Sequence, residues 1–231
     1  MFALKDAIAQ AEFVTFMTGA GVSIASGIPD YRSKGGLYSG MARPEAALSI
    51  DNLRAHHAAF HEWVCTNMYF PAARPNVIHK AMATITNQKG AIVTQNVDGL
   101  HTLAGAQHVI EFHGNLYEIY CQTCGAHVDY QTYQASDVHA VDGGILRPAI
   151  VLYGEPIASA VIAAAVAAIR RADLLVVVGT SFQVYPFAGL IQEARPDAVL
   201  AAVNREPIAL PAGAHMVVGD AQTIFAALSL H

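Results

Sequence analysis

A glycine-rich turn near the amino terminus has the composition of a phosphate-binding loop. Residues 18–23 read Thr-Gly-Ala-Gly-Val-Ser and follow a short apolar run. Small residues let backbone N–H groups approach a pyrophosphate where a strand passes into a helix. The dinucleotide fingerprint has a third glycine, and Ile24 stands in its place. Phosphate binding and a tight turn without a ligand therefore both stay open on this motif alone.

Side chains of the kinds used in catalysis occur in three further segments. Residues 26–33 read SGIPDYRS, residues 94–101 read TQNVDGLH, and residues 111–114 read EFHG. Few structural loops need an aspartate, a tyrosine and an arginine beside a stiff Ile-Pro pair. An imidazole can accept a proton near neutral pH, because its ordinary pKa is about 6.5. The three segments are therefore candidates for one site.

The candidate segments each follow a run of β-forming apolar residues, and helical segments separate these runs. This alternation predicts an α/β, Rossmann-like parallel sheet with helices on both faces, in which ligands bind at the carboxyl ends of the strands. The segments that we expect to meet there are 19–23, 95–101, 113–114, 179–181 and 204–205. The predicted strands are Val14–Met17, Ala91–Thr94, Val109–Phe112, Leu174–Val178, Val199–Val203 and His215–Val218.

The composition restricts the class of protein. Hydrophobic residues make up 54% of the 231 residues and charged residues 13%, which suits buried strands flanked by Ala-rich helices. The formal net charge is −5 and no Lys/Arg run is present, which argues against direct nucleic-acid binding. The first ten residues lack the pattern of a signal peptide, and the apolar run 157–169 is too short to span a bilayer. Three cysteines fit a reducing cytosol, so we expect a cytoplasmic protein without a membrane partner.

Five ordered motifs resemble those of the sirtuins across nearly the whole chain. They are GAGVSIASGIPDYRS, TQNVDGLH, HG, LRPAIVLYGE and GTS. The Tyr31 form of the first motif is most similar to the undifferentiated bacterial class. The resemblance implies an NAD-dependent protein-lysine deacylase, which consumes NAD as a co-substrate and releases nicotinamide and O-acyl-ADP-ribose.

Two stretches interrupt the alternation of strands and helices and have the pattern of insertions, which predicts a division of the chain into two domains. Residues 1–31, 76–114 and 144–231 would form the Rossmann-like NAD-binding domain. A helical insertion, 32–75, and a zinc-ribbon-like insertion, 115–143, would form the small domain.

The resemblance also assigns roles to individual residues. His113 would be the base that lets the 2′-hydroxyl of the ribose attack the intermediate formed with the acyl group. Asn96 and Asp98 would organise the nicotinamide ribose, and His101 would orient their loop. The remaining residues expected to bind NAD are Gly19, Ala20, Gly21, Ser23, Ile28, Asp30, Tyr31, Arg32, Gln95, Gly179, Thr180, Ser181 and Asn204.

An extended apolar segment after Arg147 would bind the acyl-lysine peptide, by the same resemblance. Its residues are Ile150, Val151, Leu152, Tyr153 and Gly154. Pairing of a sheet edge with a peptide is a common mode of recognition, although a simple buried strand is the alternative. Desuccinylating sirtuins carry a Tyr-x-x-Arg pair, and His61 and Val64 stand at the matching positions. Small or apolar acyl groups are therefore favoured over dicarboxylic ones.

The metal site is where the chain departs from the sirtuin pattern. Sirtuins usually carry two Cys-x-x-Cys pairs around structural zinc. Here the first pair is Cys121 and Cys124, but His139 and Asp142 stand where the second is expected. All four side chains can ligate zinc, though fewer thiolates should bind it more weakly. The sequence favours weak occupancy or loss of the metal.

Two other functions remain open at this stage. One is a sensor that binds NAD or ADP-ribose without turnover. The other is a transferase that moves ADP-ribose to protein. The presence of Asn96, Asp98 and His113 together favours deacylation of protein or peptide substrates.

Overall fold

The computed structural model describes residues 2–31, 36–39 and 44–228. Three 3-10 helices, Ala20–Val22, Ile24–Ser26 and Phe187–Glu193, accompany the α-helices and strands. In chain order these are α1 (Leu4–Gln10), β1 (Val14–Thr18), α2 (Pro44–Ala47), α3 (Ile50–Ala55), α4 (His57–Asn67), α5 (Val77–Lys89), β2 (Gly90–Thr94), α6 (Leu100–Leu103), β3 (Val109–Glu111), β4 (Gly114–Cys121), β5 (His127–Val128), α7 (Tyr130–Ala135), β6 (Leu146–Ile150), α8 (Ser159–Arg171), β7 (Leu174–Val178), β8 (Val199–Asn204), β9 (His215–Val218) and α9 (Ala221–Ala227).

Six strands form a parallel sheet in the order β3-β2-β1-β7-β8-β9. The strands β1, β2 and β7 are buried along their whole length, as is typical of strands covered on both faces. The predicted Rossmann-like class is confirmed, and each predicted strand end lies within one residue of the observed one. Strand order reverses between β1 and β7, which is where such sheets open a crevice for a ligand.

Two hydrophobic layers cover the sheet. One layer contains residues of α1, α5 and α9, among them Leu4, Met82 and Phe225. The other contains residues of α8 and of the 3-10 helix Phe187–Glu193, including Ala165. The alanines of α8 permit close packing, and its last turn carries Arg170 and Arg171 at the negative end of the helix dipole. None of the helices in the described ranges is long and apolar enough to cross a membrane.

A second, three-stranded antiparallel sheet has the order β5-β4-β6. Its core includes Ile119 and Tyr133 and packs against Leu53 and Phe60 of α3 and α4. Cys65 of α4 is partly buried against this core, which fits the role of a packing residue. This is the predicted small module. The predicted domain boundaries remain a prediction. Near the one at residue 144, β6 pairs with β4 of the small sheet.

Candidate active site

A large cavity of about 1240 Å³ opens at the carboxyl ends of the central strands, between the parallel sheet and the small module. A smaller cavity of about 30 Å³ shares Ala20, Tyr31 and Asn96 with it. Of the residues predicted to bind ligands, those on the large cavity are Ala20, Gly21, Asp30, Tyr31, Gln95, Asn96, His113, Ile150, Val151, Leu152, Tyr153, Gly154, Gly179, Thr180, Ser181 and Asn204. Ser23, Ile28 and Asp98 line the smaller one.

Among the described residues, Gly19 is the predicted NAD-binding residue that lies on neither lining. Gly19 lies beneath the loops, where a Cβ atom would stand 2.6 Å from Cβ of Thr180. Arg32 lies outside the described residues.

His113 follows β3 and lies in the cavity wall, where a hydrogen bond holds its imidazole ring. Its Nδ1 is 3.3 Å from the carbonyl oxygen of Gln95, so Nδ1 carries the proton and Nε2 keeps the lone pair. Burial lowers the pKa of His113 below 6.5, although the hydrogen bond to Gln95 acts in the opposite direction. The ring is therefore neutral at physiological pH and can accept a proton through Nε2.

Gln95 connects this histidine to the loop that follows β7. Its side-chain Oε1 accepts a hydrogen bond from Oγ1 of Thr180 at 3.0 Å, and its backbone N–H donates to Thr18. Thr180 Oγ1 also accepts a hydrogen bond from the backbone N–H of Phe182. The loops after β1, β2 and β7 are thus hydrogen-bonded to one another around the cavity.

Ser23 joins the predicted ribose-binding residues into one network. Its hydroxyl donates to Oδ2 of Asp98 at 2.6 Å and accepts from Nδ2 of Asn96 at 3.2 Å. The Asn96 amide also donates to the carbonyl of Gly19, while Asp98 Oδ1 accepts from the backbone of Leu100. Burial raises the pKa of Asp98 against these hydrogen bonds. The network holds the Asn96 amide on the large cavity and the Asp98 carboxylate on the smaller one.

Two buried histidines lie behind this network. His79 on α5 was missed in the sequence; its Nδ1 accepts from the backbone of Asn76, and its Nε2 is 3.5 Å from the hydroxyl of Ser23. The Asn-x-x-His spacing of a capping box is the signal that could have revealed it. His101 is 3.0 Å from Oγ1 of Thr18 and packs against His79, which fits its predicted role in orienting the loop.

The main chain of the glycine-rich turn lies in direct contact with the main chain of the loop after β7. The N–H of Gly21 donates to the carbonyl oxygen of Gly179 at 2.8 Å. A Cβ atom on Gly21 would lie 2.7 Å from that oxygen, and Gly179 has a φ of +63°. The turn leads into the two short 3-10 helices Ala20–Val22 and Ile24–Ser26.

The predicted peptide-binding segment leaves β6 at Ile150 and runs along the cavity. The backbone N–H of Val151 donates to the carbonyl of His113, and the N–H of Tyr153 donates to that of Leu48. Leu152 is buried, whereas Tyr153 is 37% exposed. The segment thus extends the wall that contains His113.

The four predicted metal ligands come together at a separate place in the small module. Their ligand atoms all lie within 4.8 Å of one another. Asp142 Oδ1 is 2.8 Å from His139 Nδ1 and 3.5 Å from Cys121 Sγ, and Cys124 Sγ is 3.6 Å from the same nitrogen. Tetrahedral zinc, with bonds of about 2.0 to 2.3 Å, sets its ligand atoms about 3.3 to 3.8 Å apart, so both sulfur separations match and the shorter hydrogen bond between His139 and Asp142 would open when zinc binds. The residues therefore fit a zinc ion.

Comparison with known proteins gives a consistent result. The family model described as Sir2 family matches residues 19–186. An NAD-dependent protein deacetylase of Listeria innocua serovar 6a is 51% identical over 224 residues, which cover 96% of this chain and 98% of the relative. One from Lactiplantibacillus plantarum is 49% identical and covers 96% of each chain.

Solved structures agree over the same length. A structure of Sir2 with a p53 peptide and NAD⁺ superposes with a TM-score of 0.85 at 30% identity, covering 97% of this chain and 95% of the other. A histidine-to-alanine variant of Sir2, with a deacetylated p53 peptide and 3′-O-acetyl ADP ribose, gives 0.87 at 29% identity and covers 96% of this chain and 94% of the other.

Proposed function

This chain belongs to the Sir2 family and is an NAD-dependent protein deacetylase, and on that premise we propose that His113 is its catalytic base. Asn96 and Asp98 organise the ribose that carries nicotinamide. NAD is consumed as a co-substrate: it supplies nicotinamide as the leaving group and ADP-ribose as the acceptor of the acyl group. The deacetylated lysine is the other product.

The proposal depends on the hydrogen bond between Nδ1 of His113 and the carbonyl of Gln95. This bond fixes the tautomer and leaves the lone pair on Nε2, the arrangement that a general base requires. Asn96, on the same cavity, is linked through Ser23 to Asp98. A ribose held by this network has its hydroxyl groups within reach of a neutral imidazole.

The remaining predicted residues divide between the two substrates. The backbone of Ala20 and Gly21, with Arg32, serves the phosphates, while the loop 179–181 and Asn204 serve the adenosine half. Asp30 and Ile28 receive the nicotinamide carboxamide, and Ser23, Tyr31 and Gln95 complete the site. The segment Ile150–Gly154 binds the backbone of an acyl-lysine protein or peptide.

The acyl group is small or apolar. His61, at the position of the clamp tyrosine in desuccinylating sirtuins, is hydrogen-bonded through Nε2 to the carbonyl of Tyr133. Val64, at the position of the arginine, is fully buried. Among the described residues neither lines the cavity, so this pair supplies no cation for a dicarboxylic acyl chain.

Product analysis tests the assignment. With NAD and an acetyl-lysine peptide, we expect nicotinamide, O-acetyl-ADP-ribose and deacetylated peptide in equal amounts by mass spectrometry. His113→Ala should lower kcat by at least about a hundredfold, as the loss of a general base does, while ADP-ribose still binds.

His127→Ala is the matched control, because His127 is an exposed histidine in the small sheet. It should deacetylate at the parental rate. Parental activity in His113→Ala would show that another group is the base.

A further inference from the structure

A buried arginine lies directly before the predicted peptide-binding segment. The side chain of Arg147 on β6 is only 3% exposed. Its Nη1 donates to Oε1 of Glu155 at 2.7 Å and its Nη2 to Oε2 at 2.8 Å, so the ion pair is bidentate. Its guanidinium also lies 5.8 Å from the ring centre of Tyr120. A buried charge of this kind is tolerated only when it is fully paired.

The remaining donors of Arg147 bind the main chain of the same segment. Nη2 donates to the carbonyl of Ile150 at 2.7 Å, and Nε donates to that of Pro148 at 3.3 Å. Oε2 of Glu155, the other member of the ion pair, accepts a hydrogen bond from the backbone N–H of Leu152 at 2.9 Å. The side-chain hydrogen bonds of the pair therefore fix the carbonyl that begins the segment and the amide in its middle.

Other hydrogen bonds attach the segment to its surroundings. The backbone N–H of Val151 donates to the carbonyl of His113. The N–H of Tyr153 donates to the carbonyl of Leu48, and the carbonyl of Tyr153 accepts from the N–H of Ile50. These bonds require the turn between Ile150 and Tyr153 to keep one shape. Arg147 is not part of the cavity lining, so it acts on a ligand only through this turn. Glu155 also lies on the cavity wall, but both of its carboxylate oxygens are bound to Arg147 and one of them to the backbone of Leu152.

A buried ion pair is weak evidence for stability, because desolvation of both charges offsets their attraction. A bidentate fork that also binds a main-chain carbonyl does set geometry. We propose that Arg147 and Glu155 are positioning residues for the acyl-lysine peptide, which hold the Ile150–Gly154 segment in the shape that pairs with the peptide backbone. This rests on the proposed function and adds two residues to it.

Separate measurements of the two ligands test the proposal. A fluorescein-labelled acetyl-lysine peptide reports peptide affinity by anisotropy, and calorimetry reports the affinity for ADP-ribose. In Arg147→Met we expect peptide affinity to fall about tenfold or more, since charge-assisted hydrogen bonds to the turn are lost. Affinity for ADP-ribose should stay within about twofold, because the glycine-rich turn and the loop 179–181 are unchanged.

Two conservative variants keep the test informative if Arg147→Met does not fold. Arg147→Lys keeps the charge but lacks the planar fork that meets both carboxylate oxygens and the Ile150 carbonyl at once, so an intermediate loss is expected. Glu155→Gln alters the partly exposed partner and keeps an acceptor for Leu152. In all folded variants kcat at saturating peptide should stay near the parental value.

Arg170→Met is the matched control, because Arg170 on α8 forms an exposed ion pair with Glu193 of the 3-10 helix and is remote in sequence from the segment. It should change neither affinity. Equal losses for peptide and ADP-ribose in the Arg147 variants, or no loss for either, would overturn the positioning role. If the parent protein binds the peptide but forms no O-acetyl-ADP-ribose, the catalytic role proposed for His113 fails while the binding data still decide the positioning role.

Discussion

At the scale of single residues, the site depends on keeping one imidazole neutral. His113 is held by Gln95 in the tautomer that exposes its Nε2 lone pair, and burial lowers its pKa below 6.5. Protonation would remove the lone pair and place a charge in a poorly solvated position. The environment of His113 thus favours the reactive form.

The pH dependence of catalysis follows from this shift. A base is active when deprotonated, so kcat/KM for an acetyl-lysine peptide should fall on acidification through an apparent pKa below 6.5 and stay level above it. The measurement is a profile of initial rates from about pH 5 to about pH 8. An acidic limb centred at or above neutrality would contradict the assignment, and the residual rate of His113→Ala should lack this limb.

The residues that we propose to be catalytic could be singled out in the sequence because they lie in segments that directly follow strands. Asn96 and His113 lie just past the ends of apolar runs, and parallel strands bring such positions together. Arg147 and Glu155 could not be found in this way, because no local pattern pairs residues eight apart across a turn. Only the folded turn brings their side chains together.

At the scale of elements, the small module contains the main departure from the sirtuin pattern. The strands β4 and β6 pair with a register shift between Asn115 and Ile119, which sequence periodicity alone does not indicate. Beyond their paired ends lies the cluster of Cys121, Cys124, His139 and Asp142. Gly144 packs against it, since a Cβ atom there would lie 2.5 Å from Cys121 Sγ. The loop therefore leaves little room for rearrangement of the cluster.

Metal binding by this module is expected to be specific but weak. Two thiolates, an imidazole and a carboxylate fit zinc, but with less thiolate character than four cysteines. Purified protein should contain less than one zinc by elemental analysis and should take up one equivalent when zinc is added. Asp142→Ala should abolish this uptake.

Glu118→Ala is the control, because it removes an exposed carboxylate from the same strand without altering the cluster. Full zinc occupancy that resists chelators would contradict the expected weakness. Absence of uptake by the parent protein would show that the cluster is not a metal site.

At the scale of the whole molecule, the parallel sheet and α5 enclose two histidines that cannot readily be charged. Burial lowers the pKa of His79 to about 4 and places that of His101 well below 6.5. Ser23 faces His79 and Thr18 faces His101, and the Ser23 hydroxyl in turn donates to the carboxylate of Asp98. Because α5 packs against β1 and β2, protonation of either ring is coupled to global unfolding.

Acid should therefore lower the free energy of unfolding through these histidines. In the unfolded chain His79 binds a proton below pH 6.5, whereas in the folded protein it stays neutral down to about pH 4. The free energy of unfolding therefore has its full value above pH 6.5 and decreases as the pH falls towards 4. The loss of unfolding free energy through His79 reaches about 3 kcal/mol. Asp98, with its raised pKa, acts in the opposite direction.

Urea titrations at several pH values measure this effect as a difference between proteins. His79→Gln should be less stable than the parent near neutrality but should lose less stability on acidification. His108→Gln changes an exposed histidine and should keep the parental slope. Equal slopes for parent and His79→Gln would refute the coupling.

The contact between Gly21 and Gly179 bears on attempts to redesign the enzyme for synthetic nucleotides. Because main chain meets main chain there, neither position can be enlarged without moving one loop away from the other. We therefore expect selectivity for an altered co-substrate to be easier to engineer at Ala20 and Ser181, whose side chains line the cavity near that contact.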